Sequence, residues 1–267
     1  MTAPDPVAPG GEAELLVDRD GDVGILTLNR PQAHNSLTTS LIDVLGEALV
    51  EFRDDDSIRA VVLTGAGGKA FCSGMDLRGA PDTTAFDDQF GEPPRHLSRG
   101  MEFWKPVLAA INGYALGAGF ELAMSCDLRY AATTATFALP EVKIGSMPGA
   151  GGTQRIIRQA PAALAMELLL TGDRWDAERI KDAGLLNGVV PAADLMSTTV
   201  DVAHRIAGNA PLSLRAVKQA VARGRHLSLA DGLTLERTLF NLLRDTEDRA
   251  EGRAAFAEKR PPVFRGR

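Results

Sequence analysis

Three glycine-dense stretches, residues 65–74, 113–119 and 145–152, each border a predicted strand, and this pairing constrains the fold more than any other feature of the chain. Glycine at a strand end admits backbone angles that other residues resist, and it lets main chain approach main chain or ligand with no Cβ between them. The apolar runs at residues 60–64 and 107–111 have the composition of strands buried on both faces, and residues 127–131 with 136–139 form a third region of strand character. Residues 14–17 and 23–28, separated by Asp20-Gly21, predict a β-hairpin. Beyond Asn29-Arg30-Pro31, the positions Leu41, Val44, Leu45, Leu49 and Phe52 recur at helical spacing behind Thr38, Thr39 or Ser40 as N-cap, which predicts a helix ending near Asp54. Strands that alternate with helices define an α/β layer.

From residue 162 the pattern changes. Residues 164–170, 177–186, 195–206, 212–221 and 233–243 all read as helices, so the last third is expected to be essentially all helical. The charged stretch 245–267 predicts a solvated helix with a frayed end. Residues 1–11 carry no basic residue and no apolar run, and read as a frayed tail with no signal peptide. The most apolar stretch, 107–126, is interrupted by Asn112, Gly113, Gly117, Gly119 and Glu121, so no membrane span is expected. With 29 Lys+Arg against 35 Asp+Glu, the formal charge of −6 leaves no uniform basic face for nucleic acid. Cys72 and Cys126 stand far apart, which excludes a disulfide scaffold and a cysteine zinc site and suggests a cytoplasmic protein.

The glycine stretches fail the usual phosphate patterns. Gly68-Lys69 is followed by Ala70 where a P-loop needs Ser or Thr, and neither Gly117-Ala118-Gly119 nor Gly149-Ala150-Gly151 meets the third glycine of a dinucleotide fingerprint. No nicotinamide or flavin cofactor is implied, and four histidines without ligand spacing imply no metal. A helix starting near Gly119 would instead put the amides around Ala118 at its positive end, where they can hold an oxyanion, with Met75 as a second donor. Glu121 and Glu141, beside these loops, can divide base and acid roles if burial raises at least one pKa toward neutrality.

The segments Asn112-Gly113-Tyr114-Ala115-Leu116-Gly117-Ala118-Gly119-Phe120-Glu121, Cys126-Asp127, Pro140-Glu141 and Pro148-Gly149-Ala150-Gly151-Gly152-Thr153-Gln154-Arg155 resemble the enoyl-CoA hydratase (crotonase) family. Leu28-Asn29-Arg30-Pro31, Leu170-Thr171-Gly172 and Phe256-Ala257-Glu258-Lys259-Arg260 extend the likeness over nearly the whole chain after residue 12. The resemblance implies an α/β crotonase-like spiral of ββα repeats over residues 13–195, then a helical oligomerisation region over 196–267 that builds a homotrimer or a hexamer of paired trimers. It implies an acyl-CoA substrate, with coenzyme A part of that substrate and no separate cofactor. The amides of Met75 and Ala118 would hold the thioester oxygen, although the family usually has a small residue and Gly at these two positions. Glu121 and Glu141 fall on the two catalytic glutamates, and retention of both favours hydration over double-bond isomerisation or carnitinyl-CoA dehydration. CoA contacts are implied for Arg30, Ala70, Asp76, Leu77 and Arg78, and for Phe240 and Lys259 from a neighbouring subunit. RNA binding, as in some relatives of the family, is disfavoured by the acidic balance, and acyl-CoA binding without turnover by the glutamate pair. Residues 79–100 are expected to be a lid over the acyl chain or a surface loop.

Overall fold

The computed structural model describes residues 13–78 and 96–267; most of the expected lid, residues 79–95, lies outside them. Strands β1 (Leu15–Asp20) and β2 (Val23–Leu28) form the expected antiparallel hairpin, with Gly21 at φ 58° in the turn. Helix α1 (Thr39–Asp54) starts at Thr38, whose hydroxyl accepts from the Leu41 amide at 3.0 Å, and buries Leu41, Leu45, Leu49 and Phe52. Its C-terminal end is capped from outside: Lys105, itself buried, donates through Nζ to the Phe52 and Asp55 carbonyls. The Phe52 ring also explains Gly24, where a Cβ would come within 2.4 Å of the ring.

Beyond the hairpin, strands enter two sheets in alternation. β3 (Ala60–Gly65), β5 (Val107–Ile111), β7 (Leu128–Ala132) and β10 (Gly188–Val190) extend the first sheet in the order β1-β2-β3-β5-β7-β10, parallel throughout after the hairpin. β4 (Ala70–Cys72), β6 (Tyr114–Leu116), β8 (Thr136–Ala138) and β9 (Trp175–Asp176) form the second, with only β8–β9 antiparallel. Each turn of the chain therefore adds one strand to each sheet, which is the spiral of ββα repeats.

β3 and β5 are buried along their whole length and divide their side chains between two cores. Val61, Leu63, Ala109 and Ile111 join the main core with Leu41 and Phe120, while Ala60, Val62, Leu108 and Ala110 pack with Leu195, Val202 and Ala203. The remaining α-helices among the described residues are α2 (Ala118–Ser125), α3 (Gly152–Ile156), α4 (Ala162–Thr171), α5 (Ala177–Asp182), α6 (Leu195–Ala207), α7 (Pro211–Gly224), α8 (Leu229–Leu243) and α9 (Glu247–Glu258).

Three expectations need correction. β4 and β6 lie inside glycine stretches read as loops, because three residues are too few to show a strand period. The last third is not all helical: β9 and β10 complete the two sheets, and the helix expected over residues 177–186 stops at Asp182, before Gly184 at φ 79°. The C-terminal end is not frayed. The Asp248 carboxylate is 3% exposed and accepts from the amides of Arg265 (2.6 Å) and Gly266 (2.8 Å), and Arg59 donates to the Phe264 carbonyl. Among the described residues no helix is long and apolar enough to cross a membrane.

Candidate active site

The three glycine stretches meet at one cleft of about 410 Å³. The first reaches it through Gly74, at φ 100°, and Met75. Met75 forms a parallel bridge with Leu37: the Leu37 amide donates to Gly74 O and the Asp76 amide to Leu37 O, each at 2.8 Å. Both bridging bonds use the residues flanking Met75, so its own N–H faces away from Leu37. The second stretch supplies Gly117, the N-cap of α2, at φ 53° and ψ −128°. Ala118 follows as the first helical residue, with the amide that helix geometry leaves unpaired. A Cβ on Gly74 would lie 3.5 Å from Ala118 N, so the two loops are in contact. Among the described residues neither the Met75 nor the Ala118 amide donates to a protein acceptor.

Glu121, in the first turn of α2, is 2% exposed. Its Oε1 accepts from the amides of Ala150 (2.8 Å) and Gly152 (2.7 Å), which is the role of the third glycine stretch. A Cβ on Gly152 would stand 3.0 Å from that oxygen. One carboxylate oxygen is thus clamped and the other left for chemistry. Glu141 is the second residue of the short turn Pro140–Ile144 and is half-buried, with Oε2 inaccessible and without a hydrogen-bond partner. Burial raises its pKa above the ordinary carboxylate value, and the nearby charge of Glu121 adds to the rise. A Cβ on Gly117 would meet Glu141 Oε1 at 3.0 Å, so this glycine is required both for its backbone angle and for the space the carboxyl fills. Two acids in unlike settings, one clamped by amides and one held toward its protonated form, can take base and acid roles beside two free amides.

Met75, Leu77, Ala118, Glu121 and Glu141 all line this cleft. The remaining expected residues are placed differently. Ala70 is buried in β4, with its carbonyl accepting from Asn35. Arg30 is also buried, its guanidinium engaged by Glu14 (3.0 Å), Asp76 (3.2 Å) and the Ser36 carbonyl, so it braces the loop from inside rather than facing a ligand. Asp76 is held well below the usual carboxylate range, first by hydrogen bonds from exposed Arg78 and then by Arg30. Phe240, on α8 with the Arg249 guanidinium 4.8 Å from its ring, and Lys259, at the left-handed end of α9, do not line the cleft of their own chain. The sequence reading missed Ile144, Met147, His96 and Arg99, all of which line it. His96 and Arg99 fall in a segment read only as lid or loop, where no periodicity marks them. Among the described residues no group of three or more His, Cys, Asp or Glu could hold a metal ion.

The family model described as Enoyl-CoA hydratase/isomerase matches residues 18–267. The chain belongs to the enoyl-CoA hydratase/isomerase family. It is 45% identical over 256 residues to the (E)-benzylidenesuccinyl-CoA hydratase of Thauera aromatica, covering 94% of this chain and 99% of that protein. It is 42% identical over 255 residues to the 2,3-dehydroadipyl-CoA hydratase of Escherichia coli strain K12, covering 96% and 100%. The solved enoyl-CoA hydratase of Bacillus anthracis superposes with a TM-score of 0.90 at 37% identity, covering 95% of this chain and all of that one. The family match spans both glutamates, both free amides and the C-terminal helices, and the crotonase fold is the one these neighbours share.

Proposed function

We propose that the protein is an enoyl-CoA hydratase that reversibly adds water across the double bond of a trans-2-enoyl-CoA, giving a 3-hydroxyacyl-CoA. The observation that carries this reading is the convergence of two carboxyl groups, one clamped by amides and one with a raised pKa, on a pair of unpaired amides in one cleft. The thioester oxygen sits between the Met75 and Ala118 amides, where negative charge builds as the enolate forms. Glu121, with Oε1 fixed, uses Oε2 to orient and deprotonate the water that bonds to C3. Glu141 delivers its proton to C2. Addition of water changes no oxidation state overall and calls for no redox cofactor, and coenzyme A enters as part of the substrate. Asp76, Leu77 and Arg78 form the CoA-side rim, supported from beneath by Arg30 and Ala70.

The C-terminal helices serve assembly in this reading. α7 and α8 have no fully buried residue and expose Val217, Val221, Leu229, Leu233 and Leu242, an apolar surface suited to a trimer or to paired trimers. Phe240 and Lys259 then contribute to CoA binding from a neighbouring subunit. Incubation with crotonyl-CoA tests the chemistry: loss of the conjugated enoyl absorbance supports hydration, whereas no turnover of short or long 2-enoyl-CoAs, alongside migration of the double bond in a 3-enoyl-CoA, favours the isomerase reaction.

A further inference from the structure

Among the described residues the cleft holds one charged group that the addition of water does not use. Arg99 ends the short turn Leu97–Arg99 and is exposed on the cleft wall. A Cβ on Gly149 would lie 4.0 Å from its Nη2, and the next residue, Ala150, is one of the two clamps on Glu121. Arg99 therefore stands on the acyl side of the site, at the loop that fixes the proposed base. Among the described residues it has no carboxylate partner within ion-pair distance, and the carboxylates that share the cleft are Glu121 and Glu141. The wall around it is mostly apolar, with Met75, Leu77, Ile144 and Met147, and its uncharged polar side chains are Ser73, Ser146 and His96.

His96, itself buried, also lines the cleft. Its Nδ1 accepts from the Ser98 amide at 3.1 Å, which leaves the ring proton on Nε2, and burial, with Arg99 and Arg155 nearby, pushes its pKa down to about 4 and keeps the ring neutral. An apolar acyl tail filling the cleft would strip water from Arg99 and return nothing, whereas a carboxylate would pair with its planar fork in a charge-assisted, bidentate contact.

Resting on the hydratase reading, we propose that Arg99 binds a carboxylate at the far end of the acyl chain, so that the substrates are 2-enoyl-CoA thioesters of dicarboxylic acids. Binding can be measured without turnover by calorimetry with two saturated probes of equal length, adipyl-CoA and hexanoyl-CoA, and with CoA alone. The wild type should prefer adipyl-CoA by about ten- to a hundredfold, the range of a hydrogen bond to a charged group. Arg99→Gln should abolish that preference and Arg99→Lys should keep part of it. Equal affinities in the wild type, a preference that survives Arg99→Gln, or an equal loss of CoA binding in that variant, as for a phosphate contact, would each overturn the assignment. Hydration assays on the matching 2-enoyl thioesters separate the two claims: a carboxylate preference in binding with no hydration sinks the hydratase reading alone, and hydration with no preference sinks the Arg99 assignment alone.

Discussion

At the scale of single residues, the site depends on what each glycine leaves room for. Gly152→Ala places a methyl group 3.0 Å from Glu121 Oε1 and 3.1 Å from its Cγ, so it should displace the clamped carboxylate. A fall in kcat of about a hundredfold with little change in KM is expected in steady-state kinetics, as for a reacting group moved by about an ångström. Glu121→Gln and Glu141→Gln should each lower kcat sharply while acyl-CoA binding is largely kept. Unchanged turnover in either variant removes that residue from the mechanism. The two glutamates and two amides that share the cleft could be singled out in the sequence because they sit in contiguous motifs. The clamp on Glu121 was not, since it joins residues 29 and 31 positions apart through main-chain atoms that carry no sequence signal.

At the scale of elements, two contacts tie helices to distant parts of the fold. His204 on α6 bridges the hairpin turn, with Nε2 3.2 Å from Asp20 and Nδ1 3.2 Å from Asp22. The Asp20 contact is the largest cause of its raised pKa. Because the folded pKa lies above the unfolded value of about 6.5, the stabilisation is complete below that value and is lost as pH rises through the folded pKa. In urea titrations His204→Gln should therefore be less stable than wild type near pH 5.5 and nearly equal to it above pH 8.5; a deficit independent of pH would refute the ion-pair account. The Asp248 carboxylate that anchors the chain end to α9 gives a second case. Asp248→Ala leaves the Arg265 and Gly266 amides without their acceptor, for an expected loss of about 1–3 kcal/mol. At this size each kcal/mol lowers the melting temperature by about 2–4 °C. The hairpin, α1, β3 and β5 were readable because each spans a full period of its pattern, whereas β4, β6, β9 and β10 are two or three residues long and exist only through their partners.

At the scale of the whole molecule, the proposed assembly rests on the apolar surface of α7 and α8 and would account for the placement of Phe240 and Lys259 away from their own cleft. Sedimentation should give a mass three or six times the 28.4 kDa of one chain. A monomer that retained full activity would overturn the idea that a neighbouring subunit completes the CoA site. If α8 supplies that contact, Phe240→Ala should raise KM for acyl-CoA more than it lowers kcat.

The sequence by itself determined the elements whose apolar pattern runs for at least a turn or a full strand, and the short motifs in which reacting groups are neighbours along the chain. Those signals are local, so they survive without knowledge of the fold. Tertiary structure alone decided which backbone amides stay unpaired, which oxygen of Glu121 is held, that Arg30 turns inward, and that Arg99 lines the cleft. These depend on pairings between strands and loops far apart in sequence, where burial and close approach of main chain, rather than residue type, set the chemistry.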